Sequence, residues 1–104
     1  MNPCVIDSPD ALTVRTIDPF QDVLATALAD EAEVTLELSA LAEIDLSFLQ
    51  LVEAARTEAA RQGSTLRLSR PAGGIVADLL DRAGFLAAPS AADIDFWFHG
   101  TMPQ

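Results

Sequence analysis

The chain has 104 residues, half of them hydrophobic, and a formal net charge of −10. Its sequence pI is about 4.1 and its mean hydropathy is +0.27, so the composition excludes a disordered chain and argues against nucleic acid and anionic membrane surfaces as partners. This length predicts one domain over residues 1–104.

The first half of the chain is predicted to contain two strands with a helix between them. Residues 1–10 form a short leader, and "ALTVRTI" alternates between apolar and polar residues as a half-buried strand does. A helix follows, with Asp18 as its N-cap and Pro19 at its first position. The next strand is "EVTLELS", in which every second residue is apolar.

The second half repeats this order. From Leu46 the apolar residues recur at helical spacing as far as Gly63, which can end a helix. "STLRLSR" alternates as a strand does, and a helix that Pro71 can open runs to Gly84. Residues 87–104 are predicted to be a C-terminal extension or, through "DIDFWFHG", a last strand.

This alternation of strands and helices predicts an α/β fold. We expect a four-stranded sheet, parallel or mixed, with about three helices mainly on one face, because three helices cannot cover both faces of such a sheet evenly.

Acidic residues dominate the middle of the chain. The chain contains no Lys, and no Arg lies between Arg15 and Arg56. The carboxylates in this interval are Asp18, Asp22, Asp30, Glu31, Glu33, Glu37, Glu43, Asp45 and Glu53. Such a run is either a solubilising face or a docking surface for a basic patch on another protein.

Several features favour a cytoplasmic protein. Cys4 is the one cysteine and has no partner for an internal disulfide, and residues 1–10 lack the features of a signal peptide. No uncharged stretch approaches the roughly 20 residues of a membrane span, so we expect no direct membrane insertion.

Residues that could form a catalytic or metal site are sparse. His99 is the only histidine, which excludes a histidine pair and leaves no convincing nucleophile with a base in reach. The glycines of "RPAGGIVADLL" do not match a phosphate-binding motif. We therefore expect no enzymatic activity, no metal and no cofactor.

The start of the second predicted helix is the most informative stretch. In "AEIDLSFLQLVEAAR", Asp45 can cap the helix, which leaves the hydroxyl of Ser47 free in the first turn. Capping is one explanation of this pattern, and a surface that a partner protein contacts is the other. A phosphate on Ser47 would add roughly −1.5 to −2 charges beside Asp45 and change such a contact. The predicted contact residues are Asp45, Leu46, Ser47, Phe48 and Gln50.

The span from about Leu12 to Leu86 resembles the STAS domain. The resemblance rests on three stretches, "EVTLELSALAEIDLSFLQLVEAAR", "RQGSTLRLSRP" and "VADLLDRAGF". STAS domains occur in anti-sigma factor antagonists, in the cytosolic tails of sulphate transporters and in small soluble subunits of lipid-transport complexes. "IDLSFLQLVEAAR" together with "FWFHG" is also similar to small STAS proteins that accompany chemotaxis kinases in some bacteria.

The resemblance implies roles for particular residues. In the antagonists of that family, a kinase of the histidine-kinase-like ATPase type phosphorylates the serine of an Asp-x-Ser turn and binds the unphosphorylated form. Ser47 matches that phosphoacceptor and Asp45 matches the preceding acid, whereas Phe48 stands where the antagonists usually have a small residue. The implied function is a non-catalytic regulatory binding module whose partner is a kinase or ATPase with a basic docking surface.

Two alternatives stay open at this point. The chain could be an unphosphorylated soluble subunit of an ABC-type transport complex for lipids or other solutes, in which the same helix docks to an ATPase subunit. A homodimer contact through Leu46, Leu51 or Trp97 is equally compatible with the sequence.

Overall fold

In the computed structural model, which describes residues 4–101, the chain forms five short strands and four helices. The strands are Cys4–Asp7 (β1), Ala11–Leu12 (β2), Glu33–Glu37 (β3), Glu43–Ile44 (β4) and Thr65–Leu68 (β5). The helices are Ile17–Asp30 (α1), Leu46–Gln62 (α2), Gly74–Arg82 (α3) and Ala91–Phe98 (α4). The predicted α/β class is confirmed.

The strands form two parallel sheets rather than the single four-stranded sheet that we expected. β1, β3 and β5 form a three-stranded sheet in the order β1-β3-β5, and β2 pairs with β4. After Asp7 and Glu37 the chain leaves the main sheet and pairs again for only two residues in each of β2 and β4. The helices α1 and α2 supply the crossovers that parallel neighbours require. The predicted strand number and the predicted three helices were therefore wrong.

One face of the three-stranded sheet is buried and the other is open. The buried face carries Ile6, Val34, Leu36, Leu66 and Leu68. On the opposite face Val5 is 55% exposed. Thr35, its neighbour on β3, is half-buried, and Arg67, the neighbour of Thr35 on β5, is exposed. Alternation therefore predicted β3 and β5 correctly, because a strand buried on one face alternates between apolar and polar residues.

The N-terminal part of the chain differs from the prediction. Residues 4–7 of the predicted leader form β1, and the predicted strand "ALTVRTI" is reduced to Ala11–Leu12. Thr13 and Thr16 close a turn instead, since the Thr13 N–H donates to Thr16 Oγ1 and the Thr16 N–H donates to Thr13 O, both at 2.9 Å. Threonine hydroxyls favour such local bonds over a strand ladder. Val14 lies in this turn and is 73% exposed.

The helix ends follow the sequence signals in part. Gly63 ends α2 in the left-handed conformation, at φ 78°, as predicted. Asp18 was predicted as an N-cap, but α1 begins at Ile17, two residues before the predicted start at Pro19, and Asp18 lies in its first turn. α3 begins at Gly74 with Gly73 as its N-cap, so Pro71 precedes the helix.

The C-terminal segment is a helix and not the last strand that was one of our two predictions. Ser90 and Asp93 form a capping box at the start of α4, with the Asp93 N–H 3.1 Å from Ser90 Oγ and the Ser90 N–H 3.2 Å from Asp93 Oδ2. Trp97 is buried in the core with 1% of its surface exposed. The predicted homodimer contact through Trp97 is therefore wrong.

Arg56 of α2 joins that helix to α4. Its Nη1 atom lies 2.8 Å from Glu53 Oε2 and 3.1 Å from Asp93 Oδ1, and its Nη2 atom donates to the Ala92 carbonyl at 3.3 Å. The guanidinium also lies over the ring of Phe96, 4.6 Å from the ring centroid. This one side chain therefore fixes the position of α4 against α2 through several contacts.

Candidate functional site

Asp45 connects the N-terminus of α2 to the turn before α1. It is the N-cap of α2, in extended conformation, and its Oδ1 atom accepts a hydrogen bond from the Ser47 N–H at 3.0 Å. The Ser47 hydroxyl donates to the same oxygen. The Oδ2 atom accepts a hydrogen bond from the Val14 N–H at 3.0 Å. Both carboxylate oxygens are thus occupied, and they hold together two segments that are far apart in the chain.

These hydrogen bonds favour the ionised form of the Asp45 side chain and lower its pKa. The Ser47 hydroxyl is the main reason that the pKa of Asp45 lies below its ordinary value of 3.8, and the Val14 N–H lowers the pKa further. Partial desolvation opposes both effects without overcoming them. At neutral pH the N-terminus of α2 therefore carries a fixed negative charge, which the helix dipole favours.

The predicted contact residues separate into a surface group and a core residue. Leu46 is 53% exposed, Gln50 is exposed, and Asp45 and Ser47 are half-buried. Phe48 is completely buried, so its side chain cannot contact a partner and its place in the predicted contact set was wrong.

Helical geometry explains the burial of Phe48. The core-facing residues of α2 are Phe48, Leu49, Val52, Ala55 and Ala59, which recur at intervals of one, three and four. The Phe48 ring meets Trp97 of α4 edge to face, with the ring centroids 6.4 Å apart. Phe48 is therefore part of the packing between α2 and α4.

Val14 is a member of this site that the sequence analysis missed. It had been assigned to a strand, whereas its backbone is held by Asp45 and its side chain is exposed. The two threonines that flank it, three residues apart, were the available signal for a turn. We refer to Val14, Asp45, Leu46, Ser47 and Gln50 as the α2 corner.

Within the described residues 4–101, the carboxylates at the α2 corner form no ion pair. The ion pairs within residues 4–101 join Arg56 to Glu53 and Asp93, and Arg61 to Glu58. None of them involves Asp45 or the exposed Glu43 beside it.

The side chain of His99 is engaged in the fold. The Nε2 atom of His99 lies 3.0 Å from the Leu68 carbonyl oxygen, so this ring contacts the backbone.

Residues 4–101 contain no group of three or more His, Cys, Asp or Glu side chains that could hold a metal ion. None of the helices described has both the length and the apolar character that crossing a membrane requires.

The chain matches a known protein-family model. A family model described as "Mlab, STAS domain" matches residues 2–87. The chain belongs to the STAS domain family. STAS domains generally mediate protein–protein interactions, and membership supports a regulatory or binding module of the anti-sigma antagonist type. Searches of curated proteins and of solved structures found no significant match.

The family match covers most of this STAS domain but ends before α4. The matched residues include the whole α2 corner, together with every strand and the first three helices. α4 lies beyond the matched range, although its aromatic residues pack into the same core.

Proposed function

We propose that this STAS domain is a non-catalytic regulatory module of bacterial signalling that docks to a histidine-kinase-like ATPase through the α2 corner. The partner would be an anti-sigma kinase or a chemotaxis kinase. The observation that carries the proposal is the paired arrangement of Asp45 and Ser47, a carboxylate and a hydroxyl held together at a helix N-terminus.

The charge of the α2 corner supports a partner with a basic docking surface. Asp45 is ionised, and Glu43 is exposed next to it. A protein with a net charge of −10 attracts a positively charged surface over distances of about a Debye length, which raises the rate of encounter.

The exposed side chains of the corner support a specific contact. Val14 is 73% exposed and Leu46 is 53% exposed. The Val14 N–H is hydrogen-bonded to Asp45, which directly precedes Leu46. The core of a protein interface is more apolar than its polar rim, so these two apolar side chains suit the centre of a contact and the polar pair suits its rim.

Phosphorylation of Ser47 would change this surface in two ways. The hydroxyl would no longer donate to Asp45, and roughly −1.5 to −2 charges would be placed against that carboxylate. Repulsion between the phosphate and the Asp45 carboxylate would weaken the hydrogen bond from the Val14 N–H to Asp45. A partner that covered this surface would also have to desolvate the phosphate. Phe48 does not oppose this proposal, because its side chain is packed in the core and not on the surface beside Ser47.

Binding measurements with two Ser47 variants test the proposal. The partner would be the kinase-type ATPase encoded beside the gene of this protein. We expect Ser47→Ala to bind within about threefold of the wild type and Ser47→Asp to bind at least about tenfold more weakly, which corresponds to about 1.4 kcal/mol. Equal binding by both variants would contradict a phosphorylation switch at Ser47. Unchanged binding by Leu46→Asp would contradict the α2 corner as the docking site.

A second candidate function is a soluble STAS subunit of an ABC-type transport complex for lipids or other solutes. The hydrogen bond between the Ser47 hydroxyl and Asp45 favours it, because a serine that already stabilises the helix end has a use without modification. Intact-mass analysis of the protein from its native cell tests this, since a phosphate on the protein would favour the signalling module and contradict an unphosphorylated transport subunit.

We further propose that the chain works in the cytoplasm without enzymatic activity, metal or cofactor. Its single Cys4 thiol is free, and its one histidine is held by a backbone carbonyl rather than by a nucleophile. Leu46 remains available for a homodimer contact, which would compete with docking at the same corner.

A further inference from the structure

The outer edge of β5 carries backbone groups that the main sheet does not use. The Thr65 N–H donates to the Ala32 carbonyl at 2.8 Å, and the Ser69 N–H donates to the Leu36 carbonyl at 2.9 Å. Alternate residues of a strand bond to opposite neighbours, so the backbone groups of Leu66 and Leu68 point away from β3. The Leu68 carbonyl is bonded to His99, and no strand within residues 4–101 pairs with this edge.

A groove runs beside this edge. It has a volume of about 960 Å³ and lies between β5, the C-terminal half of α2 and one side of α4. Ala59 and Ala60 contribute small side chains from α2, and Phe96 contributes an aromatic ring from α4. The groove is open to solvent, and its helical side carries the polar groups of Arg56, Asp95 and His99 beside these apolar side chains. It lies where one further strand would sit, at the usual spacing of about 4.8 Å from β5.

The open face of the sheet supplies a cation at this edge. Arg67 lies in the middle of β5, is exposed, and takes part in none of the ion pairs found within residues 4–101. Arg56 also lines the groove, but Glu53 and Asp93 already neutralise it. An incoming strand with an acidic side chain on the open face would pair with Arg67 across the strands.

The same cation argues against a second copy of this chain as the occupant. Two β5 edges that paired antiparallel with Arg67 at the centre of the pairing would bring Arg67 of one copy opposite Arg67 of the other. Like charges directly opposite each other destabilise a strand pair, and charged residues on edge strands commonly prevent such self-association.

We propose that the β5 edge binds an extended segment of a partner protein as a fourth strand of the main sheet. The segment alternates aliphatic residues, which face Phe96 and the α2 alanines, with acidic residues, which face Arg67. Backbone hydrogen bonds to the N–H and carbonyl of Leu66 and to the N–H of Leu68 provide the affinity, as in other cases of strand addition, while the Leu68 carbonyl stays bonded to His99. This surface is separate from the α2 corner, since Ser47 and Ala60 lie about 20 Å apart along α2.

The test uses the full chain and the acetylated, amidated peptide Thr-Val-Asp-Val-Asp-Val-Thr as the probe. NMR would follow the amide exchange of Leu66 and Leu68 as the peptide is added. We expect exchange at these two amides to slow at least tenfold at saturation, and a peptide of the same composition without the alternation to leave them unchanged. Unchanged exchange with the alternating peptide, or shifts confined to another surface, would overturn the proposal.

Two matched comparisons make the test specific. Arg67→Glu should weaken binding of the probe at least fivefold. The control is Arg82→Glu, at an exposed arginine on α3, which should leave binding within twofold; equal effects would contradict the role of Arg67.

The second comparison uses two N-methylated forms of the probe, one methylated at its three valines and the other at its two aspartates. Only one of these two peptides should lose binding, because only one edge of an added strand faces β5. If both peptides bind, or if exchange slows with protein concentration alone, strand addition by a partner is excluded.

Discussion

Asp45 accepts two hydrogen bonds from Ser47, one from its backbone N–H at 3.0 Å and one from its hydroxyl. The same carboxylate also accepts the Val14 N–H at 3.0 Å. The residue pair at the proposed docking site is therefore part of the structural support of α2 as well as part of its surface. A modification of Ser47 would act on both.

Ser47→Ala should raise the pKa of Asp45 toward its ordinary value of 3.8, because the hydroxyl is the main group that lowers it. A depressed carboxylate pKa stabilises the fold above the unfolded-state value, and the contribution is lost as pH falls through the folded-state value. The stability advantage of the wild type over Ser47→Ala should thus be present at pH 7 and decrease below about pH 3.8. NMR titration of the Asp45 carboxyl carbon and acid unfolding would measure the two effects. An unchanged Asp45 pKa would show that the hydroxyl does not donate to it.

Asp45→Ala should lower the free energy of unfolding by about 1 to 3 kcal/mol, because it removes a helix cap and the bond to the Val14 N–H. Asp45→Asn should retain much of that stability, since asparagine is also a good N-cap. The matched control is Asp22→Ala, an exposed acid on α1 that should leave the urea midpoint unchanged. If Asp45→Ala behaves like the control, the cap does not stabilise the domain. Faster amide exchange at Val14 in Asp45→Ala alone would identify the broken bond.

Phe48→Ala and Leu46→Ala should separate stability from binding on one turn of α2. Phe48 is fully buried against Trp97, so its truncation should cost about 3 to 5 kcal/mol. Leu46 is 53% exposed, so its truncation should change stability by less than about 0.5 kcal/mol while weakening partner binding. Urea unfolding and a binding assay on both variants give the comparison. A large loss of stability in Leu46→Ala would mean that this side chain packs inside the domain.

Arg56→Ala should loosen α4, because Arg56 contacts Asp93, the Ala92 carbonyl and the Phe96 ring. We expect a loss of about 1 to 2 kcal/mol and faster amide exchange throughout α4. Arg61→Ala is the control on the same helix, since the Arg61 ion pair with Glu58 is exposed and isolated. Equal exchange rates in α4 for the two variants would exclude the bridging role of Arg56.

The parts of the fold that the sequence predicted well are those governed by local patterns. β3 and β5 alternate because only one face is buried, and α2 has an apolar stripe and a glycine at its end. The Asp45 cap was also predicted, since it depends on neighbours within two residues. Short aromatic runs were ambiguous: "DIDFWF" fits a strand by alternation, and the capping box of Ser90 and Asp93 was the signal that identified a helix.

Long-range contacts determined what the sequence could not predict. The bond from Val14 to Asp45 and the bridge from Arg56 to Asp93 each join residues more than 30 positions apart. The same limit applied to the separation of β2 and β4 from the main sheet, because a two-residue strand has almost no pattern of its own. The burial of Phe48, in contrast, follows from the local spacing of the apolar residues of α2.

The position of Trp97 gives the protein an intrinsic spectroscopic reporter. It is the only tryptophan in the chain, and its indole lies between Phe48 and Phe96 where α4 meets the core. Its emission wavelength therefore reports whether the last helix is seated, with no added label. A ligand in the neighbouring groove that displaced α4 would shift the emission to the red, whereas one that left α4 in place would not.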